Sequence, residues 1–185
     1  MKTALVCLTV ALVVGCSAPA SSRRAAGIAK KESVRLAAPS QPLSSFGQFE
    51  LKPMELTAAI QGNQSKVKVA QEFESKLQAR LLPLLQQWQA QEGSPRTGGT
   101  LVIRPKLTEF YIAGAALRFI GGGYVRPTNI EMDLELADAA TGTVIANPHI
   151  MRSAGQGASF RSSDRAQMDY AVEIAYQYLV DNYQK

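Results

Sequence analysis

His149 is the only histidine of the chain, so any imidazole chemistry must start there. A hydrolytic triad needs a hydroxyl and a carboxylate brought to it by folding. No Gly-x-Ser-x-Gly turn precedes a helix, so the sequence offers no nucleophile elbow. One histidine without a surviving free thiol falls short of a typical zinc site. Glu131, Asp133 and Glu135 alternate along one segment, which puts them on one face of a strand. That spacing suits general acid/base work, but it equally describes a solvated sheet surface, and the surface reading is the simpler. A third group is the run Gly121, Gly122 and Gly123 between Arg118 and Arg126. Backbone amides in such a run can cradle an anion. The run lacks the Gly-Lys-Ser/Thr ending of a phosphate loop and leads into a strand rather than a helix. A bulge or tight crossing explains the glycines without any ligand. With Leu117, Phe119 and Tyr124 around it, the segment forms an apolar edge able to pair with another chain.

The fourth group is Val13-Val14-Gly15-Cys16, which closes an apolar run from Ala4 that follows Lys2. The run has the length of a secretory h-region and is too short to span a bilayer. Gly15 before Cys16 fits cleavage and acylation of the new N-terminal thiol, giving a signal peptide over 1–15 and palmitate-type lipidation of Cys16. An ordinary signal peptide cut near Ala18-Pro19-Ala20 is the plainer alternative. Several acyl chains make a durable anchor, at about 0.8 kcal/mol per buried methylene. By resemblance to bacterial lipoproteins, Ser17 rather than Asp after the cysteine implies the outer membrane, periplasmic side.

Composition sets the remaining limits. The two cysteines are Cys7 and Cys16; cleavage removes one and acylation consumes the other, leaving no disulfide to staple the fold. Roughly 140 residues then form one domain with an ordinary core. The formal net charge is +5, but Arg23, Arg24, Lys30, Lys31 and Arg35 crowd one short stretch beside Glu32. The rest is close to neutral, which argues against nucleic acid as a partner. Residues 16–44 read as the acylated cysteine and a flexible basic tether, rich in Ser, Ala, Pro and Gln. Extended, such a tail reaches about 90 Å; relaxed, it spans on the order of 30 Å. Arg23 and Arg24 lie near enough to the anchor to rest on anionic head groups, although a solvated linker is the simpler reading.

The elements that would position these residues lie in 45–185, expected as a single periplasmic domain. Phe46 to Leu51 predicts a first strand. Phe73, Leu77, Leu81, Leu84, Leu85 and Trp88 recur at helical spacing, with Asn63 or Ser65 as cap and a kink or break at Pro83. Trp88 on that stripe belongs to the core. A strand from Leu101 to about Ile112 contains Pro105, which suggests an edge or bulge. Ile130, Met132, Leu134 and Leu136 alternate with the three carboxylates, and Asp138 to Gly142 turns the chain into a strand over Thr143 to Ala146. Ser162-Ser163-Asp164 caps a last helix with an apolar face of Met168, Ala171, Val172, Ala175, Tyr178 and Leu179. The expected class is α+β, a two-layer sandwich of a mainly antiparallel sheet of about four strands packed by two amphipathic helices.

Gly114, Ala116-Leu117-Arg118, the glycines 121–123, the alternating strand and Asp138 to Thr141-Gly142 resemble a family of small Gly-rich bacterial lipoproteins known only as a domain of unknown function. The resemblance spans residues 46–184 and is specific over 100–146. It departs from the family's more usual Gly-x-Gly-x-Gly-like run in having three consecutive glycines followed by Tyr124. More distantly, the element order is similar to periplasmic lipoproteins with an anticodon-binding-domain-like fold, which serve as secretion-pore subunits or activators of peptidoglycan synthases. The resemblance implies fold and location better than activity. The lipobox, the long tether and the absence of a catalytic constellation point to a non-enzymatic protein-binding or assembly component of the envelope, with no cofactor or metal expected. Its candidate contacts are Leu117, Arg118, Phe119, Gly121, Gly122, Gly123, Tyr124 and Arg126. The partner is an envelope protein or a second copy. The alternative is a binder of peptidoglycan fragments or lipid head groups at the same residues, with Tyr124 flanked by guanidinium groups.

Overall fold

In a computed structural model of the protein, the described residues are 20–33, 35–91, 98–111, 128–153 and 164–184. Four helices and six strands follow one another as α1 (Ala20–Ser33), β1 (Gln48–Leu51), β2 (Glu55–Leu56), α2 (Ala58–Gln61), α3 (Gln64–Ala90), β3 (Thr100–Tyr111), β4 (Asn129–Asp138), β5 (Val144–Ala146), β6 (His149–Ser153) and α4 (Asp164–Asp181). A single 3-10 turn at Leu43–Ser45 precedes β1.

The strands form one mixed sheet in the order β1-β3-β4-β5, with β2 also on β3 and β6 also on β4. The sheet is thus four tracks wide, and prolines divide its outer tracks. Pro53 stands between β1 and β2, which both pair with β3. Pro148 stands between β5 and β6, which both pair with β4. A proline has no N–H for a ladder, so a continuous outer strand is interrupted at each. The expected mainly antiparallel sheet is corrected on one side, where β1 and β2 run parallel to β3. The 27-residue α3 causes this: it carries the chain back along the sheet, so the next strand starts from the same end as β1. Pro105 sits in β3, a central strand rather than an edge, in register with Leu134. On its other side the β1/β2 track is broken, and the register shift of β3 falls later, between Leu107 and Glu109.

Pro83 neither breaks nor ends α3. It is on the solvent side, while Leu81, Leu84, Leu85 and Trp88 around it are buried. Burial of those side chains, about 1.5–3 kcal/mol each, outweighs the hydrogen bond that proline forfeits. Asn63 is the N-cap, its side chain accepting from the Lys66 amide at 3.1 Å. The β4–β5 connection follows its turn residues: Gly142 has φ +68, and the Asp138 carboxylate accepts from the Ala140 amide at 2.8 Å.

The helices lie on one face of the sheet. Ile130, Met132, Leu134 and Leu136 of β4 are fully buried beneath them, as are Phe73, Leu77 and Leu81 of α3 and Ala171, Ala175, Tyr178 and Leu179 of α4 to within about 1%. Helices α3 and α4 run parallel. Three ion pairs link them at one constant sequence offset: Glu72 with Arg165, Lys76 with Asp169 and Arg80 with Glu173, at 3.1, 2.6 and 2.9 Å. Burial pulls the Arg80 pKa down, but its hydrogen bonds to Glu173 and the neighbouring Tyr176 leave it raised overall.

Residues 20–33 belong to the stretch expected as a tether, yet they form α1, packed along α4. Its alanines favour helix and allow close approach. Ala29 and Ser33 are buried, and the Ser33 hydroxyl donates to Asp181 at 2.7 Å, bringing the two C-terminal ends together. The connection onward is also held down, for Leu43 is fully buried and the Ser40 amide donates to the Ile145 carbonyl at 2.9 Å. The Tyr178 hydroxyl donates to the Ala37 carbonyl at 2.8 Å.

Burial pushes the Tyr178 pKa from 10.0 up to about 12. The folded state therefore holds this proton while the unfolded state releases it, so stability is intact below pH 10.0 and falls as pH rises to about 12. Tyr178→Phe is expected to remove this component of the alkaline slope in urea unfolding followed across pH, at a cost of about 1 kcal/mol near neutrality. An unchanged slope would show that another group governs it.

Candidate functional site

The period-two pattern of β4 gives the sheet a second face that no helix among the described residues covers. Glu131, Asp133 and Glu135 all point there, as their spacing foretold, because the four apolar residues between them occupy the core side. Strand β3 contributes cations from one side. Arg104 is in register with Glu135 and donates to it at 2.7 Å, and Lys106 is in register with Asp133. From the other side β6 brings His149 opposite Asp133.

His149 meets two carboxylates. Its Nδ1 lies 2.7 Å from Asp133 Oδ1 and its Nε2 lies 3.7 Å from Glu131 Oε2. The Asn129 side-chain amide donates to the remaining Glu131 oxygen, Oε1, at 2.7 Å. The imidazole is half exposed, at 48%. Each ring nitrogen therefore faces an acid, and the contacts among the described residues supply no hydroxyl for the histidine to deprotonate. A Ser-His-Asp arrangement requires the opposite, one nitrogen on the nucleophile and the other on the acid. No group of three His, Cys, Asp or Glu residues among the described residues has the geometry of a metal centre. Among the described residues this face carries charges of both signs. An acidic strand lies between a basic strand and an imidazole, so alternating signs run across the sheet. Met151, next in line on the edge strand β6, leaves 59% of its surface exposed, adding an apolar spot beside the histidine.

Strand β6 and the Asn129 contact had no distinct signal in the sequence. His149-Ile150-Met151-Arg152-Ser153 is too short and mixed to separate from a loop, and only its alternating burial on β4 identifies it. Trp88 is core as expected, stacked on Tyr183 at 4.1 Å and tilted against Phe49 at 5.3 Å. Near it, a cavity of about 380 Å³ opens between the C-terminal ends of α3 and α4, lined by Leu84, Trp88, Tyr176, Asp181 and Tyr183. Arg80 lies over Tyr176 with its guanidinium carbon 3.5 Å from the ring centre.

Leu117, Arg118, Phe119, Gly121, Gly122, Gly123, Tyr124 and Arg126 lie outside the described residues, as does Cys16. The strands that lead into and out of the first group are described. Tyr111 ends β3 in register with Asn129, where β4 begins, so the segment joins the sheet at the end that also carries Glu131.

The charged pairs on this face are half open to water, where an ion pair contributes up to about 1 kcal/mol. His149→Ala and Asp133→Asn are each expected to change the unfolding free energy by less than about 1 kcal/mol, as read from urea denaturation. A severalfold larger loss would mean that this pair holds β6 to the sheet.

No family model matches the chain, and no curated protein does. Solved structures of low sequence identity do. A PelC dodecamer from Paraburkholderia phytofirmans is 12% identical, with 77% of this chain and 94% of that chain covered and a TM-score of 0.43. XCC0632 from Xanthomonas campestris, of the family DUF330, is 10% identical over 80% of this chain and 92% of that one, TM-score 0.43. A candidate lipoprotein from Caulobacter crescentus is 15% identical over 85% and 95%, TM-score 0.34.

Proposed function

We propose that the protein is a lipid-anchored, non-enzymatic component of the cell envelope, held on the periplasmic side of the outer membrane by Cys16, that binds a protein partner. The observation that carries the reading is the sheet face of Arg104, Lys106, Glu131, Asp133, Glu135 and His149. It offers ordered charge of both signs and an exposed edge methionine, with no nucleophile on its histidine among the described residues. Ordered charges of this kind orient a protein surface and select against wrong ones. Strands β3 and β4 lead directly from this face into the segment of Leu117, Arg118, Phe119 and Tyr124, whose apolar residues and cation would complete the contact. No described helix is long and apolar enough to cross a membrane; the anchor in this reading is the acylated Cys16.

Two measurements test the reading. Cys16→Ala is expected to abolish incorporation of labelled palmitate and to move the protein out of the membrane fraction; retention in that fraction would refute anchoring through Cys16. A photo-crosslinking residue at Tyr124 in living cells should capture one distinct envelope protein, identified by mass spectrometry. Capture of the chain itself would make the partner a second copy. With normal expression and acylation, the absence of any protein adduct would replace the protein-binding reading by one of glycan or lipid-head-group binding.

A further inference from the structure

Helix α1 places Lys30 and Lys31 on one side. By the 3.6-residue period, Gly27, Lys30 and Lys31 share a face, and Ala29 and Ser33 share the opposite one. Ala29 and Ser33 are buried against α4, whereas Gly27, Lys30 and Lys31 are exposed. The outward face of this described part carries two cations and no acid. Glu32, the single acid of the stretch, lies off that face and its carboxylate is 3.4 Å from Arg35.

The position of this face relative to the anchor gives it a partner. Residues 17–19 alone separate Cys16 from the start of α1, a connection of at most about 14 Å when fully extended. The helix is 14 residues long, or about 21 Å. Its whole length is therefore within reach of the surface into which acyl chains on Cys16 would insert, and its packing on α4 makes it part of the folded domain. We propose that α1 docks on an anionic lipid surface through the face of Gly27, Lys30 and Lys31. The inference rests on acylation of Cys16. Basic side chains beside a multiply acylated anchor add attraction to anionic head groups and orient the attached domain. Docking through α1 holds the whole domain in a fixed attitude rather than at the end of a slack tether.

Gly27 provides the probe site. It stands on the same face as Lys30 and Lys31, and a Cβ built there meets nothing within 4 Å. After processing and acylation, Gly27→Cys would carry the one free thiol of the mature chain, so a bimane fluorophore can be attached there alone. Met151→Cys, on the sheet face turned away from the helices, serves as the reference. The acylated full chain is reconstituted into vesicles of phosphatidylethanolamine and phosphatidylglycerol containing a nitroxide head-group lipid, and flotation is checked first. The expected result is flotation with several-fold stronger quenching at residue 27 than at residue 151. That excess should shrink in high salt, which screens charge beyond about 3 Å at 1 M, and in the double variant Lys30→Glu, Lys31→Glu. Flotation with equal quenching at both sites, or an excess untouched by salt and by charge reversal, overturns docking through α1 while leaving the anchor intact. Failure to float overturns the anchor itself, and the docking with it. The Gly27 probe in the otherwise unchanged chain decides the matter even if the charge-reversed variant is unstable.

Discussion

The buried stripe of α4, from Met168 through Ala171, Val172, Ala175 and Tyr178 to Leu179, meets three neighbours at once. The sheet lies beneath it, α3 runs along one side, and α1 packs against it. Tyr178 is the point where these dependencies meet. Its ring is fully buried, and its hydroxyl reaches the Ala37 carbonyl in the chain leaving α1. A buried phenol without an acceptor would bear a desolvation cost of about 1–3 kcal/mol, so the position of the Ala37 backbone is tied to the packing of the core. The N-terminal helix is thereby part of the domain's structure.

Much of this architecture is legible in the sequence where a period is long and clean. The alternation of Ile130, Met132, Leu134 and Leu136 with three acids defines β4 and both its faces. The three- and four-residue spacing of Phe73, Leu77, Leu81 and Leu84 defines α3. Pattern reading fails where a single residue type is weighed without its surroundings. Pro83 suggests a break, but the buried leucines on either side hold the helix through it. Pro105 suggests an edge, but it occupies a central strand opposite a gap in the next track. The parallel pairing of β1 with β3 is not encoded in either strand. It follows from the length of the helix between them. Helix α1 escapes a hydrophobicity-based reading because its described buried residues are Ala29 and Ser33, small residues that bury little area yet permit close packing.

The same contrast applies to the candidate site. The face of Glu131, Asp133 and Glu135 follows from spacing alone. Its union with His149 does not, because their distance in sequence is bridged only when β6 pairs with β4. Once paired, the histidine sits between two acids, with a carboxylate facing each ring nitrogen. Arg104 and Lys106 balance the acids from the other side, so the face is ordered and nearly neutral rather than a one-sign patch.

Helices α1, α3 and α4 all run in the same direction. Side by side, aligned helices repel, since their dipoles add where an antiparallel set would cancel, each end amounting to about half a unit charge. In the Glu72–Arg165, Lys76–Asp169 and Arg80–Glu173 pairs, α3 gives one anion and two cations and α4 gives one cation and two anions. Their attraction offsets the repulsion along the seam. The fields at the ends remain, and they sum. The end where the helices begin is electropositive beyond what its side chains supply, and it is also the end from which the chain leads back to Cys16.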